Sequence, residues 1–196
     1  MQIENLSTII REVRGCRFCQ GSLPEGPRPV IQISRTAKIL IAGQAPGRKV
    51  HQTGVPFDDP SGERLRKWMG IDADVFYDEN KIAIMPMGFC YPGTGASGDL
   101  PPLKKCAKHW RYRLLSQMEN IQFTLVIGQY AMDWHMGERR QKTLTETVKS
   151  WKDYFGEGIM PLPHPSPRNN IWIKKNPWFE KNVIPQLQKK IAQLIS

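Results

Sequence analysis

Ala37-Lys38-Ile39-Leu40-Ile41-Ala42, a short apolar stretch that ends at Gly43, decides the fold class of this chain. An apolar run without polar alternation is typical of a strand that is buried on both faces of a parallel sheet. Similar runs at residues 81–85 and 123–127, with a weaker one at 158–162, predict three more strands. Helical patterns lie between them at about 61–69, 107–119 and 129–136. This alternation predicts an α/β fold, a three-layer α-β-α sandwich around a central, mostly parallel four-stranded sheet.

Length and composition predict one globular domain over residues 1–196. The chain has 196 residues, of which 40% are hydrophobic and 23% are charged, and about 150 residues per domain is usual. No apolar run approaches the roughly 18 residues of a membrane span, and the first residues do not resemble a signal peptide. We therefore expect a monomeric cytoplasmic protein that does not enter a membrane.

The charge balance points to a polyanionic partner. Lys and Arg total 28 and Asp and Glu total 18, which leaves a net charge of +10 at pH 7. Such an excess attracts polyanions, and nucleic acid binds to it with the release of counterions. The alternative is a basic surface without a dedicated partner.

The four cysteines point to a metal or redox site. Cys16 and Cys19 form a C-x-x-C pair, which follows a predicted amphipathic helix at residues 3–14, and Cys90 and Cys106 come much later. Thiols in a cytosolic chain of this size stay reduced. The C-x-x-C pair therefore favours metal binding or redox chemistry over a structural disulfide.

The loop after the first predicted strand is the first candidate for a site, because ligands of parallel sheets bind beyond the carboxyl ends of the strands. Residues 43–47 place glycines where a backbone can approach a ligand closely. The extension of this loop supplies Phe57, which can stack on a planar ring, and Asp58 or Asp59, either of which can orient a water. The alternative is that Asp59 and Ser61 only cap the helix that follows.

A second candidate loop, residues 163–169, follows the fourth predicted strand. Prolines on both sides of His164 restrict the backbone, which suits a side chain held in one orientation. A neutral imidazole there can donate a hydrogen bond to developing negative charge, and Ser166 can hold a phosphate. Basic residues interleaved with tryptophans over residues 168–178 suit a nucleic-acid surface. The alternative is a solvated loop with tryptophans in the core.

Taken together, these two loops resemble a known family. Gly43-Gln44-Ala45-Pro46-Gly47 and His164-Pro165-Ser166-Pro167-Arg168-Asn169 are similar to the two signature motifs of the uracil-DNA glycosylase superfamily, over about residues 10–190. Residues 52–57 and the second motif are similar to the single-strand-selective branch. Gly54-x-Pro56-Phe57 with Asp59-x-Ser61-Gly62 resembles the iron–sulfur branches of bacteria and archaea.

This resemblance also suggests a cofactor. The iron–sulfur branches hold a [4Fe–4S] cluster with C-x2-C and two later cysteines, and the pattern Cys16-x2-Cys19 with Cys90-x15-Cys106 is similar. Four thiolates suit an iron–sulfur cluster or zinc. The wide second pair favours the cluster over a zinc ribbon, which usually has two C-x-x-C knuckles. The expected job of the cluster is structural, tying the N-terminal helix to the segment between Cys90 and Cys106.

The resemblance implies a DNA glycosylase that flips a nucleotide into a pocket. Phe57 would stack on the base, whose edge would meet Gly43, Ala45 and Met87. His164 would stabilise the leaving base, and Asp59 would position the water. Gln44 would help Asp59, because Gln44 stands where the iron–sulfur branch most often has a catalytic Glu. Expected DNA contacts are Ser61, Ser166, Arg168 as a wedge, Asn169, Lys174 and Lys175.

The base itself stays open. The family often reads a pyrimidine with an Asn shortly before the third cysteine, and residues 84–90 contain none. We expect a monofunctional glycosylase acting on uracil or on another damaged or modified base, because no lysine has the signature of a nucleophile. The alternatives are a glycosylase-like fold that binds nucleic acid without turnover, and a metal-cluster accessory module of DNA repair.

Overall fold

The computed structural model describes residues 5–96 and 98–196. Within them, four strands form a parallel sheet in the order β2-β1-β5-β6, and two short strands form an antiparallel hairpin. The strands are β1 (Ile39–Ala42), β2 (Ile82–Ile84), β3 (Thr94–Gly95), β4 (Gly98–Asp99), β5 (Phe123–Ile127) and β6 (Ile159–Leu162). The four predicted strands are therefore present, and the α/β fold is confirmed.

Helices cover both faces of the parallel sheet, and no helix in the described ranges has the length and apolar character to cross a membrane. The helices are α1 (Leu6–Arg14), α2 (Arg48–Thr53), α3 (Pro60–Met69), α4 (Ala73–Tyr77), α5 (Lys104–Leu115), α6 (Gln129–His135), α7 (Leu144–Lys149), α8 (Trp151–Phe155), α9 (Asn170–Lys175) and α10 (Ile184–Ile195). Short 3-10 turns cover Gln20–Ser22, Gly137–Arg139 and Pro167–Asn169.

Alternate residues of β1 face two separate hydrophobic clusters. Leu40 packs with α1 and α5, whose contributions include Ile9 and Leu114. Ile39 and Ile41 pack in the larger cluster on the opposite face, with the buried residues of α3 and α10. Because both faces of the sheet are covered, β1 needs apolar residues at every position, which is why its sequence lacks polar alternation.

The order of the strands sets the position of the loops. β1 lies between β2 and β5, with Ile39 opposite Ile82 on one side and Phe123 on the other. The chain thus leaves β1 toward one edge and later returns to the other side of it, and a crevice forms where such a reversal occurs. The loops after β1, β2 and β6 meet at this carboxyl edge.

The C-terminal helix differs from the sequence prediction. Asn176-Pro177 predicts the start of a helix, which the structure has at Trp178, and Pro185 predicts an interruption of it. Instead a π-helical turn, Phe179–Val183, leads directly into α10, whose first turn contains Pro185. A first-turn proline leaves no helical hydrogen bond unmade, and the wider π-turn takes up the irregularity before it.

Candidate active site

A cavity of about 410 Å³ opens at the carboxyl edge of the sheet. Phe57, Asp59 and His164 all line it, although they come from loops far apart in the chain. The cavity is also lined by other residues that the sequence singled out, namely Gly43, Gln44, Ala45, Ser61, Ser166, Arg168 and Asn169. The structure therefore brings both candidate loops to one concave site, the arrangement typical of a small-molecule or base pocket.

Phe57 enters the cavity from a strained backbone. It is the only non-glycine residue in the described ranges with positive φ, at 55°. The ring lies over Gly43, where an added Cβ would sit 3.4 Å from its Cζ, and its edge meets the ring of Phe76. Such a conformation costs on the order of 1 kcal/mol and persists where surrounding contacts enforce it, often at functional sites.

Asp59 both caps a helix and lines the cavity. Its Oδ1 accepts a hydrogen bond from the Gly62 N–H at 2.9 Å at the start of α3. Its Oδ2 lies on the side of Gly47, 4.0 Å from the position of a Cβ added there. The capping role considered as an alternative in the sequence is thus present together with the position at the cavity.

His164 is held as a neutral hydrogen-bond donor. Its Nδ1 accepts the Ser166 N–H at 3.2 Å, which leaves the ring proton on Nε2. Burial lowers the pKa of His164 from its ordinary value of 6.5, against the opposing effect of the Asp59 and Asp99 carboxylates. The imidazole is therefore uncharged at neutral pH, and its Nε2–H is available to a ligand.

The loop that carries His164 is anchored from two sides. Asn169 donates its side-chain N–H to the His164 carbonyl at 2.7 Å. Arg64 of α3 donates to the Ser166 carbonyl at 3.1 Å and to the Asn170 side chain at 2.7 Å. These bonds connect the second loop to the helix that Asp59 caps, so the imidazole and the carboxylate have a fixed relation.

Gln44 lines the cavity, whereas Met87 occupies different surroundings from those expected. The Gln44 Nε2 donates to the Leu100 carbonyl at 3.4 Å, which joins the first loop to the segment after β4. Met87 does not line the cavity; its side chain is 5% exposed and packs in the core. Its N–H donates to the Gly43 carbonyl at 2.9 Å, which continues the pairing of β2 with β1 and turns the side chain inward. Ile84 and Pro86 line the cavity in its place.

Three charged residues at the cavity were missed by the sequence analysis. Arg48 and Lys49 of α2 and Asp99 of β4 all line it. Arg48 also forms an ion pair with Glu25 at 2.9 Å. The basic pair follows Gly47 directly and could have been found from its place in the first loop, whereas Asp99 follows no pattern that points to a site.

The residues assigned to DNA contact divide into two sets. Arg168 lines the cavity, and its guanidinium lies against Gly98, where an added Cβ would clash with Nη1 at 1.6 Å. Lys174 and Lys175 are exposed on α9 and do not line the cavity. Nearby Trp172 packs against the core, as the alternative interpretation of this segment held.

The four cysteines line one small, separate cavity. The Trp110 Nε1–H donates to the Cys16 sulfur and the Phe89 N–H to the Cys106 sulfur, each at 3.4 Å. Burial raises the pKa of Cys90 to about 11 and that of Cys106 to about 12. A bound cation is what would deprotonate such thiols, and N–H donors to sulfur suit metal-bound thiolates.

The geometry of these thiols falls short of a closed ligand set. All four cysteines are free thiols. Over residues 5–96 and 98–196, no three His, Cys, Asp or Glu side chains stand close enough together to hold a metal ion. The four thiols therefore suit a metal–sulfur group in their donor chemistry and in their shared cavity, but their spacing in the described residues is not that of a metal site.

Comparison with known families agrees with the fold and with the two loops. A family model described as the uracil DNA glycosylase superfamily matches residues 31–188, which include the whole parallel sheet and every residue that lines the cavity at the carboxyl edge apart from Val30. Cys16 and Cys19 precede the matched region. Since the match covers well over half of the chain, the protein belongs to the uracil-DNA glycosylase superfamily.

Proposed function

We propose that this protein is a monofunctional DNA glycosylase that hydrolyses the N-glycosidic bond of a flipped-out nucleotide and leaves an abasic site. The observation that carries the proposal is the meeting of Phe57, Asp59 and His164 in one cavity of about 410 Å³. That volume lies within the range of roughly 300–1,000 Å³ for small-ligand pockets. The substrate base is uracil or another damaged or modified base.

Each of the three side chains has a distinct task. The Phe57 ring stacks on the extruded base. The C1′–N bond breaks and the base leaves with the electron pair, and the negative charge that builds on it is stabilised by the Nε2–H of His164. A neutral imidazole needs no proton transfer to do this. The Asp59 Oδ2 orients the water whose oxygen bonds to C1′, with Gln44 as a helper.

Binding of DNA is attributed to the basic residues around the cavity. Arg48, Lys49 and Arg168 line it and face the phosphates that flank the extruded nucleotide. Arg168 is proposed to fill the gap left in the stack, and its guanidinium lies against Gly98 of the β3–β4 hairpin. Lys174 and Lys175 extend the basic surface beyond the cavity. The net charge of +10 favours this partner.

We expect no lyase activity, and this expectation needs a test because Lys49, which could act as a nucleophile, lines the cavity. A lysine nucleophile is normally desolvated by an apolar pocket, and Lys49 is exposed. We therefore expect no covalent protein–DNA adduct after borohydride reduction during turnover. Trapping of wild-type protein that is lost in a Lys49→Met variant would contradict this expectation.

The proposed cofactor is a [4Fe–4S] cluster held by Cys16, Cys19, Cys90 and Cys106, with zinc as the alternative. When bound, the cluster supplies a rigid covalent cross-link rather than a reacting group. It would connect the residues after α1 to the helix α5, which contains Cys106. Brown colour, iron and acid-labile sulfide support the cluster, whereas a colourless protein with one zinc contradicts it.

The main experiment measures alkali-labile sites in single- and double-stranded oligonucleotides that carry a panel of damaged and modified bases. His164→Ala and Asp59→Asn should each lower the single-turnover rate by about 10²–10⁴-fold. Asparagine is also a good N-cap, so Asp59→Asn should leave α3 intact. Asp58→Asn is the matched control, because Asp58 is adjacent in sequence and does not line the cavity.

One observation favours a second candidate function, a nucleic-acid-binding protein without turnover. Gln44 stands where the iron–sulfur branch most often has a glutamate, and a glutamine cannot act as a carboxylate base. This function predicts salt-dependent binding of DNA with no abasic sites for any base of the panel. Base release that His164→Ala abolishes would exclude it.

A further inference from the structure

Two carboxylates face each other across Gly47. A Cβ built on Gly47 would lie 3.4 Å from the Asp99 Oδ2 and 4.0 Å from the Asp59 Oδ2. Both carboxylates line the same cavity as His164, and both act electrostatically on its imidazole. The site thus contains a second acid that the sequence analysis did not identify.

The backbone of Gly47 does not require glycine. Its φ of −78° and ψ of 173° are ordinary extended values that any residue adopts. A side chain at this position would instead approach both carboxylate oxygens. A group located at this point can contact both oxygens, and the absence of a Cβ leaves room for a water molecule.

The two carboxylates differ in the hydrogen bonds that they accept from the protein. The Asp59 Oδ1 is committed to the Gly62 N–H at 2.9 Å, which fixes the direction of its other oxygen. The Asp99 carboxylate accepts no hydrogen bond from any side chain or backbone group in the part of the chain that the structure describes. Its oxygens are therefore free to accept protons from a water in the cavity.

Asp99 is nevertheless held in place through its backbone. It pairs with Thr94 in the β3–β4 hairpin, and the Leu100 N–H donates to the Gly93 carbonyl at 2.8 Å. Gln44 reaches the same segment through the Leu100 carbonyl. The hairpin is thus joined to the first loop, which positions the Asp99 carboxylate opposite Asp59.

We propose that Asp99 is a second catalytic carboxylate, which together with Asp59 holds the attacking water over Gly47. The inference rests on the proposed glycosylase function and deepens it. As the C1′–N bond breaks, the base takes the bonding electron pair. The water oxygen then bonds to C1′, and one water proton passes to the Asp99 carboxylate. Asp99 then releases this proton to solvent, and the departed base takes up a proton. In the overall reaction, water and the glycoside are converted to the abasic sugar and the free base.

The test compares Asp99→Asn with wild-type protein and with Asp58→Asn on the best substrate of the base panel. We expect Asp99→Asn to lower the single-turnover rate by about 10²-fold or more, within the range for loss of a general base. Its Kd for a duplex with a non-cleavable substrate analogue should stay equal or become tighter, because a negative charge near phosphate is removed.

Two further variants examine the shared water. Gly47→Ala should fold normally, because its Cβ meets Asp99 at ordinary contact distance, yet it should lower the rate at least tenfold by displacing the water. If both acids hold one water, Asp59→Asn/Asp99→Asn should be no more than a few-fold slower than the slower single variant, since groups that act as a unit are not additive.

The outcomes separate this inference from the proposed function. An Asp99→Asn rate within threefold of wild type overturns the role of Asp99 while the glycosylase assignment stands. Equal losses of rate and of analogue binding also overturn it, because they indicate that the hairpin only shapes the DNA-binding surface. Wild-type protein that releases no base from any substrate refutes the proposed function itself.

Discussion

The contact between the buried Arg111 guanidinium and the neutral imidazole of His135 makes the stability of this protein depend on pH in a calculable way. Arg111 of α5 has no solvent exposure, and its Nη2 donates to the His135 Nε2 at 2.5 Å. The imidazole must then be neutral to accept this bond. Burial, together with the charge of Arg111, lowers the pKa of His135 to about 3 from its ordinary 6.5. Protonation of the half-buried His135 in the folded state would place a second cation against the buried Arg111 guanidinium.

The size of the effect follows from the two pKa values. Above about pH 6.5, His135 is neutral in the folded and the unfolded chain, and its contribution to stability is fully present. Between pH 6.5 and about 3, only the unfolded chain binds the proton, so stability falls by about 1.4 kcal/mol per pH unit. From pH 7 to pH 5 the loss is about 2 kcal/mol, or about 4–8 °C in Tm for a chain of this size.

Urea unfolding at pH 7 and pH 5 measures this loss in wild-type protein and in His135→Gln. Glutamine keeps an oxygen that accepts from Arg111 and does not titrate, so the variant should lose about 2 kcal/mol less than wild type between the two pH values. His109→Gln is the control, because His109 is exposed on α5 and stacks on Phe18. Equal acid sensitivity of wild type and His135→Gln would refute the reasoning.

Three other substitutions have outcomes that the contacts determine. Gly62→Ala places a Cβ 1.8 Å from the Phe57 carbonyl oxygen, so α3 or the Phe57 loop must move. We expect the variant to lose about 1–3 kcal/mol of stability in urea unfolding and to lose base release. Wild-type activity would contradict the contact. Arg111→Met removes the donor that the Met85 and Pro86 carbonyls share and should cost about 2 kcal/mol or more by the same method; an unchanged midpoint would contradict it. Cys106→Ser should lower the metal content of the purified protein by elemental analysis, and full retention of metal would remove Cys106 from the ligand set.

The parallel sheet was predictable because burial on both faces leaves a local signal. β1 and β2 are apolar and buried at every position, and β5 departs from this only at the half-buried Thr124, so the chain shows them as short apolar runs. The short helices α2, α4, α7, α8 and α9 were not predicted, because five or six residues do not complete two turns and their amphipathic period cannot be read. Side-chain N-caps at Asp72 and Thr143 stabilise α4 and α7 instead.

The two loops of the site were found from side-chain chemistry, and their meeting in space followed from the topology of the sheet. Phe57 and His164 follow different strands, yet they line one cavity because parallel strands end at the same edge. Asp99 could not be found in this way. It belongs to a strand of two residues in the β3–β4 hairpin, which has no periodicity, and its place opposite Asp59 depends on tertiary hydrogen bonds. The prediction that Met87 lines the cavity was wrong for a different reason, since an apolar residue after a strand fits a pocket wall and a core equally well.

The sequence does not show which neighbouring group approaches each glycine of the first loop. Gly43, Gly47 and Gly62 look alike in the motif, but a Cβ would meet the Phe57 ring at the first, two carboxylates at the second and the Phe57 backbone at the third. None of the three has a positive φ, so backbone freedom explains none of them. Each position has a glycine because a neighbouring group lies where a side chain would be. At Gly62 and at Gly43 that neighbour is Phe57. At Gly47 the neighbours are the Asp59 and Asp99 carboxylates, and two acids that approach one point beside a neutral imidazole have the chemistry to hold a nucleophilic water.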